Sequence, residues 1–516
     1  MIKIKKLFII CFLALFSILF ISCDLNTDLN GNNNNTENNE NNENNGNTNN
    51  ETPKEGRIFI YSVNDFHGIV YESGNSVGLS KLFGYLHTKK VENPDNTIIL
   101  SAGDMFQGSA LSSMSRGEIV LKAMNYSSFD AMTIGNHEFD WGLSEVTKYF
   151  DDSDTKTKAS FPLLGANVVK KSNGEIAPGL KPYTVFKRAG LNIGVIGIIG
   201  MGEENDILTS YVKDYYFSDE LTAIKKYAKI LREDEKCDIV IVSSHSDTSS
   251  INYTIANLTG SEKIDAVFNG HTHQAYYSEE SRKDKSAPMP VVQSGCYGRY
   301  VGVVILTYDY VNHKVKDASA INSKATNVCT KSDSNIDELF NEYKEYVDIA
   351  NEELGKSGMD LYQQIGGLFC ANTMVDKFSV DLGICNRGGI RGSGFPIDRG
   401  DMISYGDIFE IMPFENKVVI VELTGSVIIN RLFSGANDYY FISTNVDVAN
   451  KTINGVKIES HTLYKVATID FLYEKAGQPF ASGSNYVNTN ILFRDVIAEG
   501  FKKNIQENGS FYFSGQ

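Results

Sequence analysis

The chain has 516 residues, a formal charge of −16 and 42% hydrophobic residues. That length exceeds one ordinary core and implies two sizeable domains. No basic stripe runs along it, so phosphate-driven binding of duplex nucleic acid is excluded as an expectation, and an anionic substrate would need metal ions or a few concentrated arginines.

Residues 1–22 open with "MIKIKK" and continue as an apolar run that ends at "SCDLN". A positive start, an apolar stretch of signal length and a cysteine at its boundary resemble a bacterial lipoprotein signal, with Cys23 as the lipid-anchored residue. Its removal takes away Lys3, Lys5 and Lys6 and changes the net charge from −16 to −19. The Asn-rich tract that follows has almost no apolar side chains to offset its ordering entropy. Residues 23–56 are therefore expected as a tether, with the body outside the cytoplasm on the periplasmic or cell-surface face of the membrane.

From Arg57, short β-branched runs alternate with amphipathic stretches. "RIFIYSV", "TIILSAG", "DAMTIG", "LNIGVIGI", "CDIVIVSS" and "IDAVFNG" read as buried strands. "GLSKLFGYLHTKK", "RGEIVLKAMNY" and "DELTAIKKYAKILRE" read as helices between them. The alternation predicts a layered α/β domain with both sheet faces covered. "VGVVILTYDY" reads as its last strand, ending near 310. Apolar residues at helical spacing over 336–354 predict one connecting helix. A smaller α+β domain follows, with strands such as "DLGICN", "KVVIVEL" and "LYKVATI". The resulting division is 57–325, a connector at 326–358, and 359–516. The five cysteines of the body show no CxxC spacing and read as buried free thiols.

The strand ends carry the chemistry. Asp65 and His67 follow the first strand, Asp104 the second and Asn136 the third, while His245 and then His271 and His273 end two later ones. With His137 next to Asn136, five of the eight histidines fall at these ends. Strand carboxyl ends converge on one edge of a layered α/β sheet, so these seven side chains are expected to be neighbours. Oxygen and imidazole donors without thiolate fit two divalent ions such as zinc, manganese or iron. Asp104, alone on its strand end, is placed as a bridge would be.

"NDFHG", "SAGDMFQG", "TIGNHEFD", "SSHSD" and "NGHTHQ", in that order, resemble the signature of the calcineurin-like metallophosphoesterases in their 5'-nucleotidase branch. "NRGGIR" and "IMPFENKVVIVELTG" are similar to that family's C-terminal substrate domain. The resemblance implies a helix-flanked β-sandwich followed by a substrate domain that rotates about the connector. It implies a first metal on Asp65, His67, Asp104 and His273, and a second on Asp104, Asn136, His245 and His271, with cobalt a further option for either. It makes His137 the catalytic histidine and Asp140 the carboxylate that orients it; Glu138 is left as a hydrogen-bonding residue and Trp141 as packing beneath the loop. Asn386 and Arg391 match positions that hold phosphate and base. Phe414 matches one face of a base clamp, and Phe480 is the expected other face, with Tyr473 as the alternative.

The implied reaction is hydrolysis of a nucleoside 5'-phosphate to nucleoside and phosphate. Arginines that the family carries upstream of this region are missing from "SGMDLYQQIGGLFCANTM", with Arg387 as a possible compensation. A 2',3'-cyclic nucleotide or a UDP-sugar therefore stays open as substrate. A surface lipoprotein that binds nucleotides or acts as an adhesin is the non-enzymatic alternative.

Overall fold

The computed structural model describes residues 54–151, 156–246, 249–435 and 439–515. The signal segment, Cys23 and nearly all of the tether lie outside the described residues.

The first half stacks two six-stranded sheets face to face. In one, Glu55–Val63, Thr97–Ser101, Ala131–Thr133 and Leu163–Leu164 run parallel. Tyr300–Asp309 and Lys314–Lys324 extend it antiparallel. In the other, Leu191–Ile199, Ile239–His245, Ala266–Asn269 and Met289–Ser294 run parallel. Tyr183–Arg188 and Ala275–Glu280 flank it antiparallel.

Alternate side chains of each strand point to opposite faces. Ile58, Ile60 and Ile98 therefore meet Val195 and Ile241 between the sheets. Tyr61, Val63 and Ile99 pack outward under the helices Gly78–Glu92 and Glu118–Tyr126. On the other side Ile196, Val240 and Val242 pack against Glu220–Glu233. Burial on both faces explains why these strands read as unbroken apolar runs.

Two features differ from the sequence expectation. The sheet does not end near 310, because the chain turns and returns as Lys314–Lys324. That strand is only sparsely buried, so its polar residues mask it in the sequence. The connector is not one helix over 336–354 but two, Ser334–Glu342 and Lys344–Ala350, followed by the strand Glu353–Lys356. Ile336 and Tyr343 enter the first core, whereas Ala350 packs with Ala110 and Phe409. Breaking the helix at Tyr343 lets one short segment serve both contacts.

The second half carries a five-stranded sheet in the order Tyr440–Ile442, Leu382–Asn386, Leu463–Ile469, Lys417–Thr424, Ser484–Leu492. The helices Gln363–Phe378 and Phe493–Asn508 join its core through Phe369 and Phe501.

The loops at the ends of the first parallel strands are laced together. Asp65 N donates to Gly103 O at 2.9 Å and His67 N to Asp104 O at 3.0 Å. The fully buried Glu138 carboxylate accepts from the backbone N–H groups of Asp104 and Met105 at 2.9 Å and of Gly135 at 2.8 Å. One side chain thus satisfies donors from two loops that no sheet ladder reaches. Glu138→Ala should lower the unfolding free energy by about 3–5 kcal/mol, because it strands several buried donors at once. Urea unfolding of the metal-free protein measures this; a loss below about 1 kcal/mol would show that the lacing does not depend on Glu138.

Candidate active site

Asp65, His67, Asp104, His271 and His273 all have positive φ, between 50° and 73°. Non-glycine residues adopt this left-handed region at a cost, and Asp and His tolerate it better than most. At a strand end it reverses the chain sharply and turns the side chain into the cleft. Gly135 makes room: a Cβ there would stand 2.2 Å from Asp104 Oδ1. The loops also fix one another, with His271 N donating to both Asp65 carboxylate oxygens at 3.0 and 3.1 Å.

All seven side chains expected to be neighbours converge. His67 Nε2 lies 3.0 Å from His273 Nε2, and His273 Nε2 lies 3.6 Å from Asp65 Oδ1. On the other side of Asp104, His245 Nε2 is 3.1 Å from Asp104 Oδ2 and 3.0 Å from Asn136 Oδ1. His271 Nδ1 is 3.1 Å from the same Asn136 oxygen. Asp104 Oδ2 also lies 4.0 Å from His67 Nε2, so its carboxylate stands between the two groups.

The donor set fits divalent cations. His67 donates its Nδ1 proton to Gln107 O at 3.2 Å, and His245 donates its own to Ala102 O at 2.7 Å. Each ring therefore turns Nε2 inward, as backbone-anchored metal-binding imidazoles do. A neutral His245 would aim a lone pair at two oxygens, which is repulsive unless a cation sits among them. Without one, the ring must take a second proton. Its pKa indeed lies well above the ordinary value: burial opposes the charge, and the Asp104, Asp65 and Glu203 carboxylates together outweigh burial. Burial depresses the other rings, His67 well below the ordinary value, His271 to about 4 and His273 to about 3. The groups able to hold an ion are Asp65, His67 and His273 in one cluster, and Asp65, Asp104 and His245 in another. A third cluster joins His245 and His271 to Glu203, a residue that the motifs along the chain do not single out. Glu203 follows the strand Leu191–Ile199 by four positions, so it obeys the same strand-end rule as the other seven.

His137 lines a cavity of about 320 Å³ beside this cluster. Its Nδ1 is 2.8 Å from Asp140 Oδ2, and its backbone N–H donates to Asp104 Oδ1 at 2.9 Å. Burial disfavours the imidazolium, but the Asp140 and Asp104 carboxylates outweigh it and hold the pKa above the ordinary value. Burial pushes the Asp140 carboxyl up, with His137 pulling the other way.

The far wall of the cavity comes from the second half. Asn386, Arg391, Phe414, Tyr439, Phe471 and Lys475 line it. The Arg391 guanidinium lies 5.7 Å from the Phe414 ring centroid, and that ring lies 5.6 Å from His137. Arg387 instead bonds Gln364 Oε1 at 2.7 Å and lies over Phe441.

Phe480 is not a clamp residue. It is fully buried in the second core, edge-on to Tyr440, and a ring with no exposed face cannot stack on a ligand. Tyr473, the alternative, stacks on Tyr486 at 4.2 Å. Phe471 reaches the cavity instead, because the helix Asp470–Glu474 starts directly at the end of the strand Leu463–Ile469. Trp141 also gains a role: it is buried beneath the Arg116 guanidinium at 5.3 Å, and Arg116 pairs at 2.8 Å with Glu415 of the cavity wall.

Residues 60–275 match the family model for calcineurin-like phosphoesterases, and residues 363–482 match that for the 5'-nucleotidase C-terminal domain. Endonuclease YhcR of Bacillus subtilis (strain 168) is 28% identical over 468 residues, covering 82% of this chain and 37% of that protein. Apyrase of Tabanus yao is 28% identical over 423 residues, covering 72% of each. This chain thus spans little more than a third of the first of these curated relatives. The crystal structure of a 5'-nucleotidase precursor from Thermus thermophilus superposes with a TM-score of 0.71 and 20% identity, over 87% of this chain and 96% of that one. Two family models in the order of the two cores, and a solved structure that shares the fold over nearly its whole length, lead to one assignment: the chain belongs to the calcineurin-like phosphoesterases that carry a 5'-nucleotidase C-terminal domain.

Proposed function

We propose that this protein is an extracytoplasmic phosphohydrolase that uses two divalent ions to convert nucleoside 5'-phosphates to nucleoside and phosphate. The observation that carries the reading is the pairing of His137 with Asp140 on a cavity whose one wall holds the metal-donor cluster and whose other wall holds Arg391 and Phe414. Asp65, His67, Asp104 and His273 would hold one ion, and Asp104, Asn136, His245 and His271 the other. Zinc, manganese, cobalt and iron all suit these donors. Bound there, such ions supply positive charge to phosphoryl oxygens and acidify the attacking water.

The chain's own residues do the rest. Arg391 places a guanidinium where it can bond phosphate oxygens. Phe414 and Phe471 offer ring faces for a base, and Asn386 offers a side-chain amide. His137, with Nδ1 held by Asp140, presents Nε2 to the cavity, where its proton stabilises charge that develops on the phosphoryl and leaving oxygens. Lys475 brings a second cation to the same cavity. Its presence favours substrates with an additional phosphate, such as nucleoside diphosphates or UDP-sugars, as the second reading. Lipid anchoring through Cys23 rests on the sequence pattern, and Cys23→Ser should move the protein from the membrane to the soluble fraction; unchanged fractionation would reject the anchor.

Hydrolysis of a panel of nucleotides, cyclic nucleotides and UDP-sugars, followed by chromatography of the products, should be fastest for nucleoside 5'-phosphates. It should vanish after chelation and return with manganese, zinc or cobalt; activity that survives chelation would reject the mechanism. Phe414→Ala should raise KM for nucleotides and leave hydrolysis of a base-free phosphate ester nearly unchanged.

If the protonated His137 is the active form, activity persists below its pKa and falls as pH rises through it. Asp140 raises that pKa, so Asp140→Asn should move the alkaline limb of kcat/KM to lower pH while reducing kcat about 10²–10⁴-fold. A limb that stays in place would remove Asp140 from this role.

A further inference from the structure

Glu203 lies in the turn Glu203–Asp206, just beyond the strand Leu191–Ile199. Its side chain is turned inward and the residue is 8% exposed. Oε2 is buried without a hydrogen-bond partner. It lies 3.7 Å from His271 Nδ1, and one carboxylate oxygen of Glu203 shares a neighbourhood of 4.8 Å with ligand atoms of both His245 and His271.

A buried carboxylate oxygen with no donor carries the full desolvation cost of a charged acceptor. Its surroundings are mixed in charge: His245 faces it, and the Asp104, Glu220 and Asp65 carboxylates crowd it. Protein hydrogen bonds do not resolve this crowding. A cation in the adjoining cleft does, because His271 Nδ1 and Asn136 Oδ1 already face that cleft from the same side. Donors that share one ion stand about 3–4 Å apart when each is about 2.0–2.2 Å from it, and 3.7 Å falls in that range.

We propose that Glu203 is a further carboxylate donor to the second divalent ion, added to Asp104, Asn136, His245 and His271. The inference rests on the dimetal reading above. The extra oxygen and its charge bind the second ion more tightly and favour harder ions with larger coordination numbers, manganese over zinc. The motifs along the chain assign no role to the turn after this strand, so Glu203 adds a negative charge to the second site beyond the expected ligands.

The test is Mn²⁺ binding to chelator-stripped full-length protein, followed by isothermal titration and by electron paramagnetic resonance of free Mn²⁺. Wild type should bind two ions. Glu203→Gln keeps the shape and removes the charge. It should weaken one of the two sites about 10–100-fold, the range found when a metal's supporting groups are lost, and leave the other unchanged. The thermal midpoint gives an independent readout. Metal-free Glu203→Gln should melt close to metal-free wild type, because Oε2 has no hydrogen bond to lose, while its gain in midpoint on adding Mn²⁺ should shrink. Two sites of wild-type affinity in the variant would overturn the role of Glu203. So would a variant equally destabilised with and without Mn²⁺, or unfolded in both states, since either marks a structural carboxylate. A wild type that binds fewer than two ions would instead overturn the dimetal reading itself.

Discussion

A buried carboxylate at the centre of the molecule sets the terms for everything around it. Asp104 is 1% exposed and stands between two groups of imidazoles, with His245 at 3.1 Å on one side and His67 at 4.0 Å on the other. Burial alone would force it to protonate, yet the surrounding imidazoles hold its pKa well below the carboxylate range. The backbone answers the same demand. His137 N–H donates to Asp104 Oδ1, Glu138 takes the Asp104 N–H, and residue 135 must be glycine for the carboxylate to fit. The loop conformations and the left-handed residues at the strand ends bring the imidazoles and backbone donors to this one group.

The second half of the chain depends on that centre without supplying any of its metal donors. It faces the cluster across the cavity and contributes Arg391, Phe414, Phe471 and Lys475. Polar contacts span the two walls: the side-chain pairs Arg116 to Glu415 and Lys475 to Asp206, and the Ser210 backbone N–H donating to the Glu474 carboxylate. Arg116 is braced over Trp141, so the only tryptophan of the chain links the loop that carries His137 to the opposite wall. Exposed pairs of this kind contribute little each, about 0–1 kcal/mol. These polar contacts across the cavity are therefore weak, and the buried apolar contact of Ala110 and Ala350 with Phe409 joins the halves beside them.

Much of the site is legible in the residue order alone. Each of Asp65, Asp104, Asn136 and His245 sits where an apolar run stops, and parallel strands in a layered sheet bring such positions to one edge. His137 and Asp140 are legible only through the family resemblance, and the structure brings their side chains to 2.8 Å on one tight loop. Glu203 escapes notice although it obeys the same rule, because the turn "GMGEEND" carries several acids and nothing local singles one out. The expectation for Phe480 fails because the strand "LYKVATI" gives way to a helix at once. That brings Phe471 to the cavity and carries Phe480 into the core.

The sequence by itself determined the alternation of strands and helices, the convergence of donors at the strand ends and the class of ion they suit. Those depend on side-chain period and on residue type, which are local. Only the tertiary structure decided which ring nitrogens turn inward, which acid is left without a partner and which aromatic rings line the cavity. Those outcomes depend on contacts between residues far apart in the chain: His245 with Ala102, Glu203 with His271, Arg116 with Glu415. Burial and orientation at such contacts arise from packing, and no periodicity along the chain encodes them.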